Sequence, residues 1–167
     1  CYTNMLTGAD DAFLFSEPHS WADGAAGTRW LLTVYFSIIK NIRMPWLLGV
    51  MTLLLYGVAA WLVCETLSIT SSAGIILVSG LMVTSPTMIS SNFYLTSAHM
   101  YAGALLFACL AAYAYKKWRH GWIAAFVFML LSEGSYAAYI SMTLCLFFLC
   151  SLKELLFDQE ANDKHNL

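Results

Sequence analysis

Charge is what this sequence has least of. Only 11% of its 167 residues are Asp, Glu, Lys or Arg, against 60% apolar. Soluble domains carry ~25% charged and ~45–50% apolar residues. A soluble fold of this size leaves much of its surface in water and could not hide so much apolar area. The shortage of charge therefore excludes a disordered chain, a nucleic-acid binder with a basic face and an ordinary soluble enzyme. The formal net charge of −2 is too small to point to a polyionic partner. With a mean hydropathy of +0.68, the expectation is an all-α, polytopic helical membrane protein.

Other absences narrow the chemistry. There is no Walker loop, no GxGxxG and no HExxH, so no glycine-rich nucleotide cradle or zinc helix is indicated. Any activated donor is expected to be lipid-linked. The cysteines Cys64, Cys109, Cys145 and Cys150 lie in apolar runs and form no CxxC pair. They read as small apolar residues rather than a disulfide framework or metal site. The chain opens on Cys1, with no basic start and apolar core before residue 10. That fits a removed signal peptide or, as expected here, a piece of a longer chain with a further span upstream.

What is present is long apolar stretches. Residues 66–115 contain no Asp, Glu, Lys or Arg, a run of fifty. A helical span needs ~20 apolar residues, so this run predicts two spans, at 72–89 and 98–115. Their turn is expected at Ser85-Pro86 or at Ser90-Ser91-Asn92, where proline and asparagine interrupt helices. Residues 44–64 form an earlier span with Pro45 in its first turn. Residues 121–152 are apolar except for Glu133. They are too long for one upright span, and Glu133-Gly134-Ser135 reads as a break between segments at 121–132 and 136–152.

The basic cluster Lys116-Lys117-Trp118-Arg119-His120 sets the orientation. Positive residues stay inside, which places residues 1–43 and the Glu133 turn outside. The expected plan is about five spans in a bundle over 44–152, an acidic external loop over 1–28 and a polar cytoplasmic tail over 153–167, fraying from Phe157. Arg29, Thr33, Ser37, Lys40 and Asn41 recur at helical spacing beside Trp30, Leu31, Val34 and Tyr35. Residues 29–43 therefore predict an amphipathic helix lying in the outer interface.

Four features could carry chemistry. Asp10 and Asp11 stand side by side, and adjacent carboxylates raise each other's pKa. Such a pair could supply a general base or hold a divalent cation, though Asp-Asp in a loop is also an ordinary solvated turn. Arg29 is the one strong cation among the first 39 residues. Its fork matches a phosphate oxygen pair, in a lipid-linked donor or in a phospholipid headgroup. Glu133 is the only carboxylate in its apolar run, a substrate contact or a solvated turn residue. Tyr136 and Tyr139 could stack on a sugar ring or sit in an aromatic belt. His99, at the outer start of a span, reads as an interfacial histidine. No metal site is expected beyond the Asp10–Asp11 pair.

The order of these features resembles a known family. The motifs are Asp10 and Asp11 in GADDAFL, Gly27 and Arg29 in GTRW, and Ser132, Gly134, Tyr136 and Tyr139 in SEGSYAAYI. The chain resembles the bacterial O-antigen-type glucosyltransferases of the multi-spanning GT-C superfamily, as an N-terminal fragment. It departs from their pattern at Thr28, which separates Gly27 from Arg29, and at Ala137 after Tyr136. The resemblance implies a membrane glycosyltransferase of the bacterial inner membrane. It implies transfer of a hexose such as glucose from a polyprenyl-phosphate donor to a glycan acceptor such as O-antigen. Asp10 and Asp11 would be catalytic, with Arg29 near the phosphate; Glu133 and Tyr136 are expected to contact substrate. The partners expected are that donor, that acceptor and the lipid bilayer, with no nucleic acid. The rival reading is a non-enzymatic transporter or lipid-linked-sugar flippase, which would bury its polar groups mid-membrane between repeated helix halves.

Overall fold

The computed structural model describes residues 30–31, 34–35, 44–91 and 98–165, and all regular structure among them is helical. The acidic loop at 1–28 lies outside the described residues. So does most of 29–43, although Trp30, Leu31, Val34 and Tyr35 are helical there.

Helix α1 runs from Pro45 to Thr66, with proline in its first turn. Its 22 residues make ~33 Å, enough for the ~30 Å hydrocarbon layer. Past its end the Ile69 N–H donates to the Cys64 carbonyl at 2.8 Å, and Ser68 takes a φ of 54°. That left-handed position closes the helix and is usually given to glycine. Helix α2 (Ser72–Thr84) starts on Ser71, whose hydroxyl accepts the Gly74 N–H at 3.2 Å. It stops at Ser85, which is extended (ψ 140°) because a residue before proline avoids the helical region. A short helix α3 (Pro86–Ser91) follows. Helix α4 is Ala98–Lys117, α5 is Gly121–Tyr136, a 3₁₀ turn covers Ala137–Tyr139, and α6 is Ile140–His165.

Three stretches among the described residues are long and apolar enough to cross a membrane: Trp46–Thr66, Ala98–Lys117 and Gly121–Leu156. The expected span at 72–89 is divided at Ser85, and the 13 residues of α2 reach only ~20 Å. The 36 residues of Gly121–Leu156 would extend ~54 Å if straight. They turn back instead. Tyr136 is extended (φ −159°, ψ 105°) and the 3₁₀ turn follows it. The break thus falls just beyond the expected Glu133-Gly134-Ser135. Those residues stay helical, with the Ser135 hydroxyl donating to the Leu131 carbonyl one turn back at 2.9 Å. The tail also differs from expectation, because α6 continues to His165. Lys153, Glu154, Leu155 and Leu156 are all good helix formers and carry it on.

Helix α4 is the centre, packed against α1, α5 and α6. Its alanines, among them Ala102, Ala104, Ala108 and Ala112, are fully buried and let the neighbouring backbones come close. Two interhelical hydrogen bonds use this closeness. The Ser132 hydroxyl of α5 donates to the Ala104 carbonyl at 2.8 Å, and the Thr143 hydroxyl of α6 donates to Ala108 at 3.4 Å. Thr52 and Thr66 bury their hydroxyls by donating to carbonyls four residues back, both at 2.7 Å.

The two ends of the bundle differ in character. At one end Lys117 pairs with Glu65 at 3.2 Å. The ammonium groups of Lys116 and Lys153 donate to the Thr66 and Leu67 carbonyls at 2.7 and 2.6 Å. These lysines cover carbonyls that the end of α1 leaves without helical partners. At the opposite end, the start of α4 meets the end of α5, with the Tyr101 and Tyr136 rings 4.9 Å apart. From there α6 descends to the basic end, where Tyr115 and Phe147 meet at 5.2 Å. Trp46, Leu54, Trp61, Phe126 and Phe148 point outward and are exposed. So much outward apolar area is what a bilayer, and not water, would cover.

Candidate functional site

The end opposite the lysines gathers the aromatic and polar groups. Tyr136 is half-buried between Tyr101 and Tyr139, at ring separations of 4.9 and 5.8 Å, both edge-to-face. Such edge contacts fix ring orientation as well as bury area. The extended backbone at Tyr136 is what turns these rings together at the α5–α6 reversal.

His99 lies in the first turn of α4 and is only 3% exposed. The Tyr35 hydroxyl and His99 Nε2 share a hydrogen bond, and their rings lie 5.1 Å apart. His99 Nδ1 has no hydrogen-bond partner among the described residues. Burial pushes the Tyr35 hydroxyl up to about 12, so it stays protonated at neutral pH. The Trp30 indole lies across Gly134. A Cβ at that glycine would come within 2.5 Å of the indole Nε1. Glycine is what allows the approach.

Of the residues expected at the site, Asp10, Asp11 and Arg29 lie outside the described residues. Tyr136 is in the cluster. Glu133 is at the same end but exposed, one helical face round, in line with Phe126 and Leu130 on the outward stripe of α5. The structure therefore places Tyr136 inward and Glu133 toward the surroundings of the bundle. Trp30, Tyr35, His99 and Tyr101 join the cluster without having been singled out together. Tyr35 and His99 are 64 positions apart, and no local pattern links them. The sequence signal was indirect: both lie beside segments expected on the same side. Among the described residues no group of three or more His, Cys, Asp or Glu could hold a metal ion.

An all-helical bundle with outward apolar faces, a lysine-rich end and an aromatic, histidine-bearing end defines a membrane protein with one chemically equipped face. The family model described as Glucosyl transferase GtrII matches residues 3–166, and the chain belongs to that family. It is accordingly a glycosyltransferase-family protein, whose work involves a sugar donor and an acceptor. No curated protein and no solved structure matches it.

Proposed function

We propose that this chain carries the donor-side machinery of a multi-pass inner-membrane glucosyltransferase of the GT-C type. It moves a hexose from a polyprenyl phosphate to a surface glycan such as O-antigen. The family match across nearly the whole chain is the observation that carries this reading. It favours an enzyme over a transporter or flippase. The segregation of lysines to one end supports the orientation, since it leaves the aromatic end facing outward under the positive-inside rule.

The chemistry is a displacement at the anomeric carbon. The acceptor hydroxyl oxygen forms the new bond to that carbon as the bond to the donor phosphate oxygen breaks. Asp10 or Asp11 takes the hydroxyl proton, a contribution of roughly 10²–10⁴-fold. The second carboxylate raises the pKa of the first toward the working pH. The departing polyprenyl phosphate gathers negative charge, which Arg29 stabilises without a change of protonation. Tyr136 offers a ring face to the sugar, and Glu133 meets the donor from the bilayer side.

Reconstitution tests the reading. The full-length protein in lipid vesicles is given labelled polyprenyl-phosphate glucose and a lipid-linked glycan. Label appearing in the glycan supports the proposal, and none appearing overturns it. The other role for the Asp10–Asp11 pair, holding a divalent cation, predicts that EDTA stops transfer and Mg²⁺ restores it. A general base predicts transfer indifferent to both.

A further inference from the structure

We propose that the Tyr35–His99 hydrogen bond and the Trp30–Gly134 seat form a two-point anchor, and that His99 is thereby a positioning residue for the transfer. This rests on the proposed function, because the segment anchored is the one that begins at Arg29. Two contacts to two different helices carry the inference. Trp30 meets α5 at Gly134, and Tyr35 meets α4 at His99. Trp30, Leu31, Val34 and Tyr35 are helical, and the two contacts stand five positions apart. One contact alone would leave that helical turn free to pivot. Two contacts, to helices tied together by Ser132 and Ala104 at 2.8 Å, fix both its place and its direction.

Each contact has a local signature. Gly134 lies inside α5, where a helix prefers a residue with a side chain. A Cβ there would stand 2.5 Å from indole Nε1 and Cε2, well inside the ~3.5 Å of ordinary contact. His99 is 3% exposed in an apolar helix surface. A buried imidazole there is costly unless it is hydrogen-bonded, and the Tyr35 hydroxyl supplies that partner at Nε2. Arg29 is the residue next to Trp30 in the sequence. Holding Trp30 limits where the guanidinium can search. A phosphate-binding group placed in advance loses less freedom when the transition state forms.

The test uses the full-length protein in lipid nanodiscs, with deuterium uptake over residues 30–35 and donor-dependent transfer rates as two separate readouts. Tyr35→Phe removes only the hydroxyl. His99→Gln carries an amide to the Nε2 position, whereas His99→Asn carries it to the Nδ1 position. Gly134→Ala pushes the indole off its seat. Tyr35→Phe and His99→Asn are each expected to raise exchange over 30–35 by about fivefold, the worth of one hydrogen bond, and Gly134→Ala by about as much or more, because its Cβ overpacks the indole. Exchange in α4 stays unchanged. The same three lower kcat by about tenfold with donor KM within about twofold, the pattern of an interaction made in the transition state. His99→Gln keeps both readouts near those of the unsubstituted protein. Unchanged exchange in the three variants overturns the anchor, whatever the activity. Raised exchange with unchanged kcat overturns the positioning role. A protected 30–35 segment in a protein that transfers no sugar overturns that role together with the proposed function, while upholding the anchor.

Discussion

Gly121 opens α5 immediately after the Trp118–His120 turn, and replacing it by alanine should unfasten that corner. The added Cβ would land on the Ala114 carbonyl oxygen, 2.7 Å from the Ala114 carbonyl carbon and 2.9 Å from the Tyr115 Cα. Carbon pairs rest at ~3.5–4.0 Å, so the overlap is close to 1 Å by that standard. All three neighbours are backbone of α4, which cannot swing aside as a side chain can. The Trp118 N–H donates to Ala114 O at 3.1 Å and the Gly121 N–H to Trp118 O at 3.0 Å, so opening the corner strains this turn as well. Overpacking costs ~1–3 kcal/mol where neighbours can adjust. With backbone on every side, about 3 kcal/mol or more is expected. Gly103→Ala is the matched control. It lies inside α4, and nothing is within 4 Å of its added Cβ. That change should stabilise the helix by ~0.5–1 kcal/mol. The two substitutions are chemically identical, yet their effects should differ by about 4 kcal/mol and in sign. Thermal unfolding in detergent, followed by circular dichroism and size-exclusion chromatography, measures both. Equal midpoints for the two variants would refute the packing argument for the α4–α5 corner.

Three further outcomes are expected. Ser68→Gly should stabilise the protein by about 1 kcal/mol, since a non-glycine residue held at positive φ carries a strain of that order; an unchanged or lower midpoint counts against the Ser68 geometry. Tyr35 should titrate near 12 because burial disfavours its phenolate. Its neutral form is favoured by folding, so this stability is fully present below pH ~10, the unfolded value, and is lost as pH rises from there through about 12. A Tyr35→Phe difference titration by ultraviolet absorbance should lose a tyrosine of that pKa, and loss of an ordinary one near 10 contradicts it. Single cysteines at Glu133 and Arg119 should label from opposite sides of sealed vesicles, with Glu133 outside; labelling from one side would end the topology.

The helical segments were legible because apolar runs bounded by charge are a coarse signal. Residues 44–64 and 98–115 match α1 and α4 closely. The Ser85-Pro86 interruption was legible too, for proline constrains the residue before it. The break after Glu133 was misplaced because glycine and serine mark flexibility, not conformation. Here the Ser135 hydroxyl folds back on the Leu131 carbonyl within an unbroken helix, and the chain leaves the helix only where Tyr136 becomes extended. Glu133 and Tyr136 are three residues apart and looked like one site. The face each takes depends on how α5 sits against α4, which periodicity in so apolar a segment does not reveal. The Tyr35–His99 and Trp30–Gly134 contacts were invisible for a related reason. They join residues far apart in sequence through tertiary packing alone.

The central claim is that sugar transfer takes place at the outward end of this bundle, with an aspartate of the first loop as its base. The most direct measurement is the initial rate of glucose transfer from polyprenyl phosphate by the full-length protein carrying Asp10→Asn or Asp11→Asn. Asparagine keeps the shape of the side chain and cannot take the hydroxyl proton. One of the two variants should fall by about 10²-fold or more, while inserting and accumulating as the unsubstituted protein does. Near-normal turnover in both would contradict the account.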